Sequence, residues 1–293
     1  MAGKGVLYVV ATPIGNLRDI SERALEILGG VDLILAEDTR HSAKLLGHYG
    51  ISTPCRSFHD HNETPQVAQI VHRIAAGERM ALISDAGTPL ISDPGFRLVS
   101  AMREQGLSVV PIPGPSALLC ALSVAGLATD RFCFEGFLPA RSGARRRQLQ
   151  LLASEPRTLV FFESPRRIVQ TLCDLSETFG AERRAVVARE LTKIHETVLG
   201  ATLSEVCAWF EEHAEQCRGE LVIVVAGARP VHEADDNVQL SREKLLRVLV
   251  EALPVKQAVS LAARLTGERR NALYERAVAI AAAGRGNGSG EAS

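Results

Sequence analysis

The first third of the chain alternates between short apolar runs and longer segments with helical periodicity. The apolar runs that predict strands lie at residues 6–10, 31–36, 80–84 and 107–112. The amphipathic segments that predict helices lie at residues 20–28, 42–47, 66–76 and 96–105. Near-continuous apolar strands separated by amphipathic helices are typical of a parallel sheet covered by helices on both faces. The pattern therefore predicts an α/β domain over residues 1–116.

This regularity is lost after residue 116. Residues 132–139 are aromatic and extended, and further strands are predicted at residues 158–162, 185–189, 196–201 and 220–226. Helices are predicted at residues 167–179 and 204–213. Strands and helices do not alternate as regularly here as in the first third. We predict a second, mixed α/β domain over residues 117–228.

The last part of the chain has a helical pattern only. Residues 228–237 are typical of a linker, and amphipathic segments follow at residues 241–252, 256–266 and 269–283. Gly267 falls in the turn between the last two segments, which is the spacing of a helix-turn-helix. We predict a small C-terminal helical domain over residues 238–283. The Gly- and Ser-rich residues 284–293 are predicted to be a disordered tail.

Composition narrows the class of protein. The 293 residues are 46% hydrophobic and carry a formal net charge of −1, which is an ordinary balance for a soluble globular protein. A polycation is excluded, so contact with nucleic acid would require a local basic patch. The six cysteines include no Cys-x-x-Cys pair, which favours reduced thiols. With no recognisable signal peptide and no apolar run of about 20 residues, we expect a cytoplasmic protein without a membrane partner.

Four loops rich in Pro, Gly and polar residues follow the predicted strands of the first domain. They lie at residues 12–16, 37–40, 84–95 and 113–117, and the third contains two Asp, two Pro and two Gly. Because the carboxyl ends of parallel strands meet at one edge of a sheet, these loops should form a single ligand crevice. The alternative is that each loop is only a capped turn.

Charged segments follow the strands of the second domain. Residues 161–167 place one acid and two arginines at the end of one predicted strand. Residues 188–196 place five charged or ionisable side chains at the end of another predicted strand. Residues 141–147 carry four arginines and no acid, a composition suited to gripping a phosphate backbone. The alternative for each segment is a solvated surface or a flexible loop.

Several familiar site motifs are excluded. The Gly-x-Gly-x-Gly match at residues 284–288 follows no strand and opens no helix, so it cannot cradle a phosphate or a cofactor. The chain has no P-loop motif. His59, His61 and Glu63 lie close together, but the matching Pro-Cys-x-x-Cys of a zinc deaminase is missing. We therefore expect no metal site.

Seven segments together resemble a known family. In order they are residues 12–16, 36–40, 61–63, 84–95, 113–117, 162–165 and 188–193. They resemble the bacterial ribosomal RNA small-subunit methyltransferase I family, which belongs to the tetrapyrrole methylase (class III methyltransferase) superfamily. The resemblance runs from about residue 7 to residue 226, and the C-terminal helices are similar to the small helix-turn-helix domain of that family.

The resemblance implies an activity and its partners. It implies 2′-O-methylation of the ribose of a decoding-centre cytidine in 16S rRNA, with S-adenosylmethionine folded in the cleft between two α/β domains of a homodimer. The sister activity on the same fold, methylation of a tetrapyrrole, is the alternative. The cofactor needs contacts for adenine, ribose, sulfonium and a zwitterionic tail. The residues expected to supply them are Thr12, Pro13, Asp85, Ala86, Gly87, Thr88, Ser116, Ala117, Phe162 and Gly219.

The target hydroxyl is weakly acidic and must lose its proton as the new bond forms. Alignment alone can supply roughly 7–11 kcal/mol, and a general base adds about 10²–10⁴-fold. The candidate bases are Glu190, Glu37 and Lys193, the last only if burial or a cation such as Arg189 lowers its pKa.

The RNA is expected to contact arginines and the C-terminal domain. From residue 238 onward the chain has nine Lys or Arg against five Glu, although this domain could instead pack only on a partner subunit. The arginines expected to bind RNA are Arg40, Arg141, Arg145, Arg146, Arg147, Arg166 and Arg167.

Overall fold

A computed structural model describes residues 5–228 and 235–286, which form two compact units divided after Ala228. The first unit contains two five-stranded sheets. The first sheet is entirely parallel, as predicted, with the order β3-β2-β4-β1-β5. Its strands are β1 (Val6–Val10), β2 (Leu33–Ala36), β3 (Cys55–Ser57), β4 (Arg79–Ile83) and β5 (Ser108–Ile112).

Helices cover both faces of the first sheet, because its strands are apolar on both sides. The helices are α1 (Glu22–Gly30), α2 (Thr39–His48), α3 (Asp60–Ala75) and α4 (Phe96–Glu104). Helices α1 and α2 pack on the face that carries Ile34 and Ile83. Helices α3 and α4 pack on the opposite face with Leu35 and Leu82. Alternate residues of one strand thus enter different cores.

The second sheet lies in the predicted mixed α/β domain and has the order β6-β7-β10-β8-β9. Strands β6 and β7 are parallel and the other pairs antiparallel. The strands are β6 (Phe132–Phe137), β7 (Thr158–Glu163), β8 (Arg184–Arg189), β9 (Thr197–Thr202) and β10 (Leu221–Val225). One face packs on α6 (Ser142–Leu152), α7 (Ile168–Phe179) and α8 (Leu203–Glu212). The other face packs on Ile14 and on α5 (Ala117–Val124).

The second compact unit is a three-helix arrangement. It comprises α9 (Asp235–Ala252), α10 (Val255–Thr266) and α11 (Arg270–Gly286), around a core that includes Leu246, Val259 and Leu273. Gly267 adopts φ +71° where α10 ends, so it forms the predicted turn. Residues 284–286 continue α11, which corrects the prediction of disorder there; residues 287–293 and most of the predicted linker lie outside the described residues. No helix in the described ranges has the length and apolar character needed to cross a membrane.

The structure differs from the sequence pattern in three further places. Strand β3 was not predicted, because its sequence, Cys-Arg-Ser, has no apolar pattern. Helix α3 begins at Asp60 rather than at residue 66. The arginine-rich segment at 141–147 enters helix α6, which excludes the alternative of a flexible loop. The domain boundary predicted between residues 116 and 117 stays a prediction, since residues up to Ala228 form one compact unit.

Two arginines of α6 pair with an acidic residue of another helix. The sequence suggested RNA binding because residues 141–147 contain no acid, and this pairing corrects that premise. Asp174 of α7 is buried, and its two carboxylate oxygens accept hydrogen bonds of 2.6 Å from the Nε atoms of Arg145 and Arg146. The Arg145 side chain is completely buried, and its Nη1 also donates to the carbonyls of Pro139 and Ala140. Arg145 therefore anchors α6 to α7 and is not accessible to RNA.

Removing one partner of this buried pair should destabilise the second sheet's helical layer. We expect Arg145→Met to lower the free energy of unfolding by about 3 kcal/mol, because the buried Asp174 carboxylate is left with the half-exposed Arg146 and the Ser142 hydroxyl as its side-chain partners. Arg147→Met is the matched control, since Arg147 is exposed and bonds only Gly143 of its own helix; its cost should stay within about 0.5 kcal/mol. Urea unfolding followed by fluorescence of Trp209, the single tryptophan, measures both. Equal midpoints for the two variants would contradict this role of Arg145.

Candidate functional site

Two loops beyond the ends of β1 and β4 are joined by backbone pairing. Thr12 N donates to the Gly87 carbonyl at 2.9 Å, and Gly87 N donates to the Thr12 carbonyl at 3.0 Å. The buried Thr12 hydroxyl adds a bond of 3.1 Å to the Ser84 carbonyl. Thr12 and Gly87 therefore form an antiparallel bridge just beyond the parallel strands β1 and β4. The bridge fixes the two loops relative to each other.

The other two loops of the first sheet join the same edge. The Asp85 carboxylate accepts from Asp38 N at 3.1 Å, and Asp85 N donates to the Glu37 carboxylate at 3.4 Å. The Thr88 hydroxyl donates to the Pro115 carbonyl at 3.0 Å. The four loops therefore converge, as parallel topology predicted.

The segment 84–95 is held in an unusual backbone conformation. Leu90 and Ser92 have φ values of +73° and +68°, which cost non-glycine residues about 1 kcal/mol or more each. Gly95 has φ +123°, and a Cβ there would lie 2.6 Å from a methyl carbon of Leu82. Backbone strain of this kind persists only where the surroundings impose it, and it concentrates at ligand sites.

A cavity of about 380 Å³ opens beside this segment. Its apolar wall includes Ile14, from the loop after β1, and Phe137, Phe162 and Val222 of the second sheet. Its volume lies within the range of small-molecule and cofactor pockets. The polar groups on its surface belong to Thr88, Ser92, Asp93, Ser116, Glu163, Ser164 and Glu220.

Seven of the ten residues expected to bind cofactor line this cavity. They are Ala86, Gly87, Thr88, Ser116, Ala117, Phe162 and Gly219. Thr12, Pro13 and Asp85 do not line it; Thr12 and Asp85 instead hold the lining loops through the bonds described above. Sequence reasoning did not assign the lining residues of β6 and β10, Phe137, Leu221 and Val222, because nothing local shows that these strands flank β7.

Glu163 fixes the wall contributed by β7. Its carboxylate is buried and accepts bonds from Arg167 Nη2 at 2.9 Å, the Thr171 hydroxyl at 2.7 Å and Ser164 N at 2.6 Å. Arg167 Nη2 also donates to the Leu138 carbonyl at 2.7 Å. Arg167 is thus largely engaged inside the protein, with 24% of its side chain exposed, and its assignment to RNA stays a prediction.

Glu190 and Lys193 form a linked pair next to the cavity. Glu190 adopts φ +52°, and its Oε1 accepts from Lys193 Nζ at 2.8 Å and from Glu220 N at 2.9 Å. A Cβ on Gly219 would overlap the Glu190 carboxylate, and a Cβ on Gly15 would overlap the Lys193 side chain. The two glycines therefore let loops of both sheets pack against this pair.

The electrostatics of the pair weaken both residues as general bases. Partial burial alone would raise the pKa of Glu190, but the bonds from Lys193 and Glu220 N outweigh it and lower that pKa. Burial alone would lower the pKa of Lys193, but Glu190 and Glu220 outweigh it and raise that pKa. Lys193 is therefore an ammonium at neutral pH, and the condition under which it could act as a base is not met.

The remaining arginines differ in accessibility. Arg141, Arg147 and Arg166 are exposed, and the Arg40 side chain is 90% exposed while paired with Asp38. Arg146 is half-exposed but is bound to Asp174 and Glu177. The surface available to a phosphate backbone is thus smaller than the sequence suggested.

Two protein-family models match separate parts of the chain. Residues 6–207 match the family of Tetrapyrrole (Corrin/Porphyrin) Methylases, and residues 240–281 match the RsmI C-terminal HTH domain.

Curated relatives match at high identity. The protein named Ribosomal RNA small subunit methyltransferase I from Pseudomonas aeruginosa is 51% identical over 274 residues, which cover 94% of this chain and 97% of that protein. The protein of the same name from Escherichia coli O157:H7 is 48% identical over 276 residues, which cover 94% of this chain and 95% of that protein. The one from Synechocystis is 46% identical over 280 residues, covering 96% and 100%.

Solved structures share the fold at low identity. A diphthine synthase aligns with a TM-score of 0.59 at 14% identity, covering 76% of this chain and 90% of that chain. The native uroporphyrin III C-methyl transferase of Thermus thermophilus aligns with a TM-score of 0.54 at 18% identity, covering 76% and 97%. The solved structures show the fold, and the family models and curated relatives show that the chain belongs to the ribosomal RNA small subunit methyltransferase I family, within the tetrapyrrole methylases.

Proposed function

We propose that this protein transfers a methyl group from S-adenosylmethionine to the ribose 2′-hydroxyl of a decoding-centre cytidine in 16S rRNA. The observation that carries the proposal is the match over 94% of the chain to proteins named as ribosomal RNA small subunit methyltransferases. The cavity between the two sheets supports it, because it offers apolar walls and convergent polar groups in one place.

The residues around the cavity suit the parts of S-adenosylmethionine. Phe162 and Val222 offer an apolar surface for adenine. The backbone of Ala86 and Thr88 can bond the ribose or the amino acid tail, since the N–H and carbonyl of Gly87 between them are paired with Thr12. Ser116 makes no side-chain bond to the first turn of α5, so its hydroxyl and the N–H groups of that turn can receive a carboxylate. When bound, the cofactor supplies an electrophilic methyl group on a sulfonium.

Alignment of the hydroxyl with the methyl group carries most of the rate in this proposal. The loops that would hold the two reactants are fixed by internal bonds, and preorganisation of this kind can supply roughly 7–11 kcal/mol. Glu190 and Lys193 would act as an oriented ion pair that sets the loop geometry. Glu37, whose carboxylate accepts from Asp85 N, remains the candidate base.

The RNA would be held by the exposed arginines and by the C-terminal helices. Arg141 at the start of α6, Arg147 within α6 and Arg166 after β7 are exposed cations. We further propose a cytoplasmic homodimer that acts on rRNA in the small ribosomal subunit. The rival function, methylation of a tetrapyrrole, rests on solved structures such as the uroporphyrin III C-methyl transferase, which share the fold at 18% identity.

The substrate proposal is tested with radiolabelled S-adenosylmethionine and three acceptors: small ribosomal subunits from a strain lacking this enzyme, free 16S rRNA, and a uroporphyrinogen. We expect label in 16S rRNA at one 2′-O-methylcytidine, located by nuclease mapping, and none in the tetrapyrrole. Label in the tetrapyrrole alone would support the rival function instead.

Filling the cavity should abolish cofactor binding without unfolding the protein. Ala117 lines the cavity at the start of α5, and leucine retains helix propensity. We expect Ala117→Leu to weaken S-adenosylmethionine binding at least 10-fold in calorimetry. Ser123→Leu, at an exposed position of the same helix, is the matched control and should bind normally. Unchanged affinity in Ala117→Leu would show that the cofactor does not bind in this cavity.

Charge reversal of exposed arginines should separate RNA binding from cofactor binding. We expect Arg141→Glu/Arg166→Glu to reduce rRNA methylation at least 10-fold and to flatten its salt dependence, because fewer phosphate contacts release fewer counterions. Affinity for S-adenosylmethionine should be unchanged. Arg103→Glu, an exposed position on α4, is the control. If Arg103→Glu had an equal effect, the loss would reflect net charge and not a specific surface.

A further inference from the structure

Two cysteines of the second sheet's helical layer lie in direct contact. Cys173 of α7 and Cys207 of α8 have their Sγ atoms 2.6 Å apart. This distance is well inside the van der Waals contact of two sulfur atoms and closer to the roughly 2.05 Å of a disulfide bond. The residues are 34 positions apart in sequence, so the contact is a product of the α7–α8 packing.

The spacing argues for a bond between the sulfurs and against a shared metal ion. Glu211, one turn after Cys207, places a carboxylate oxygen 3.7 Å from Cys173 Sγ, and these three residues are close enough to be considered as metal ligands. Two thiolates on a tetrahedral zinc ion, with Zn–S bonds near 2.3 Å, would stand about 3.8 Å apart. The sulfurs would have to separate to hold zinc but only approach slightly to form a disulfide.

The two thiols differ in access. Cys207 is 7% exposed and lies within the apolar core, whereas Cys173 is only partly buried. Burial raises the pKa of the Cys207 thiol to about 12, and burial also raises the pKa of Cys173. Both therefore react slowly near neutral pH, and a dithiol of this kind stays reduced in a reducing compartment.

We propose that Cys173 and Cys207 form a reversible dithiol–disulfide pair that is oxidised by low-molecular-weight disulfides. The Cys173 thiolate attacks one sulfur of the external disulfide and releases one thiol. The Cys207 thiolate then attacks the Cys173 sulfur and expels the second thiol. Two protein thiols and one external disulfide thus become one protein disulfide and two external thiols, with no further oxidant.

This site is independent of the proposed methyl transfer. Helices α7 and α8 pack on the face of the second sheet that carries Phe161 and Ile223, whereas Phe162 and Val222 of the cavity belong to the opposite face. The disulfide would therefore join helices α7 and α8 on the face of the second sheet opposite the cavity.

Oxidised glutathione added to the full chain, followed by intact-mass measurement and peptide mapping, tests the proposal. We expect the wild type to lose two hydrogens, to join the peptides of Cys173 and Cys207, and to raise the midpoint of Trp209-detected thermal unfolding by about 5 °C or more. Dithiothreitol should reverse all three changes. Cys207→Ser should instead retain one glutathione on Cys173, because the resolving thiol is gone.

Matched variants keep the test decisive. Cys217→Ser removes another partly buried cysteine of the same layer and should behave as the wild type. Cys173→Ser should show neither the adduct nor the crosslink at Cys207. The proposal would be overturned if the wild-type protein kept a glutathione on Cys173 or formed a different disulfide. It would also be overturned if the wild type stayed fully reduced under conditions in which Cys207→Ser is glutathionylated.

Discussion

The backbone pairing of Thr12 with Gly87 is the interaction on which the site depends. A parallel sheet ends at its strands, but this bridge carries hydrogen bonding past the ends of β1 and β4 and into their loops. The Thr12 hydroxyl reinforces it from a buried position. Beyond Gly87, Leu90 and Ser92 of segment 84–95 adopt positive φ values, and the segment lines one wall of the cavity.

The opposite wall is held by carboxylates whose hydrogen bonds are satisfied within the protein. Glu163 binds Arg167 and Thr171, and Glu190 binds Lys193 and the backbone of Glu220. Charge-assisted bonds of this kind resist rotation of the loops that they connect. The same bonds hold Glu190 ionised and Lys193 protonated, so the site is better equipped to orient reactants than to remove a proton strongly.

Sequence reasoning succeeded where a local pattern reflects a general topological rule. Buried parallel strands are apolar throughout, so the first sheet and the convergence of its four loops could be predicted. It failed where a partner is distant in sequence: Asp174 lies 29 residues after Arg145, and nothing in the arginine run itself indicates that pairing. Strand β3 has no apolar pattern. The lining residues of β10 depend on an antiparallel register with β7 that no local feature specifies.

The central claim is that the cavity between the two sheets is the cofactor site. A crystal structure of the full chain with S-adenosylhomocysteine, the product left after methyl transfer, tests it most directly. The account predicts the ligand in contact with the backbone of Gly87, with Ser116 and with Phe162, and with Glu163 and Glu190 retaining their present hydrogen bonds. Ligand bound elsewhere in the chain, with this cavity unchanged, would contradict it.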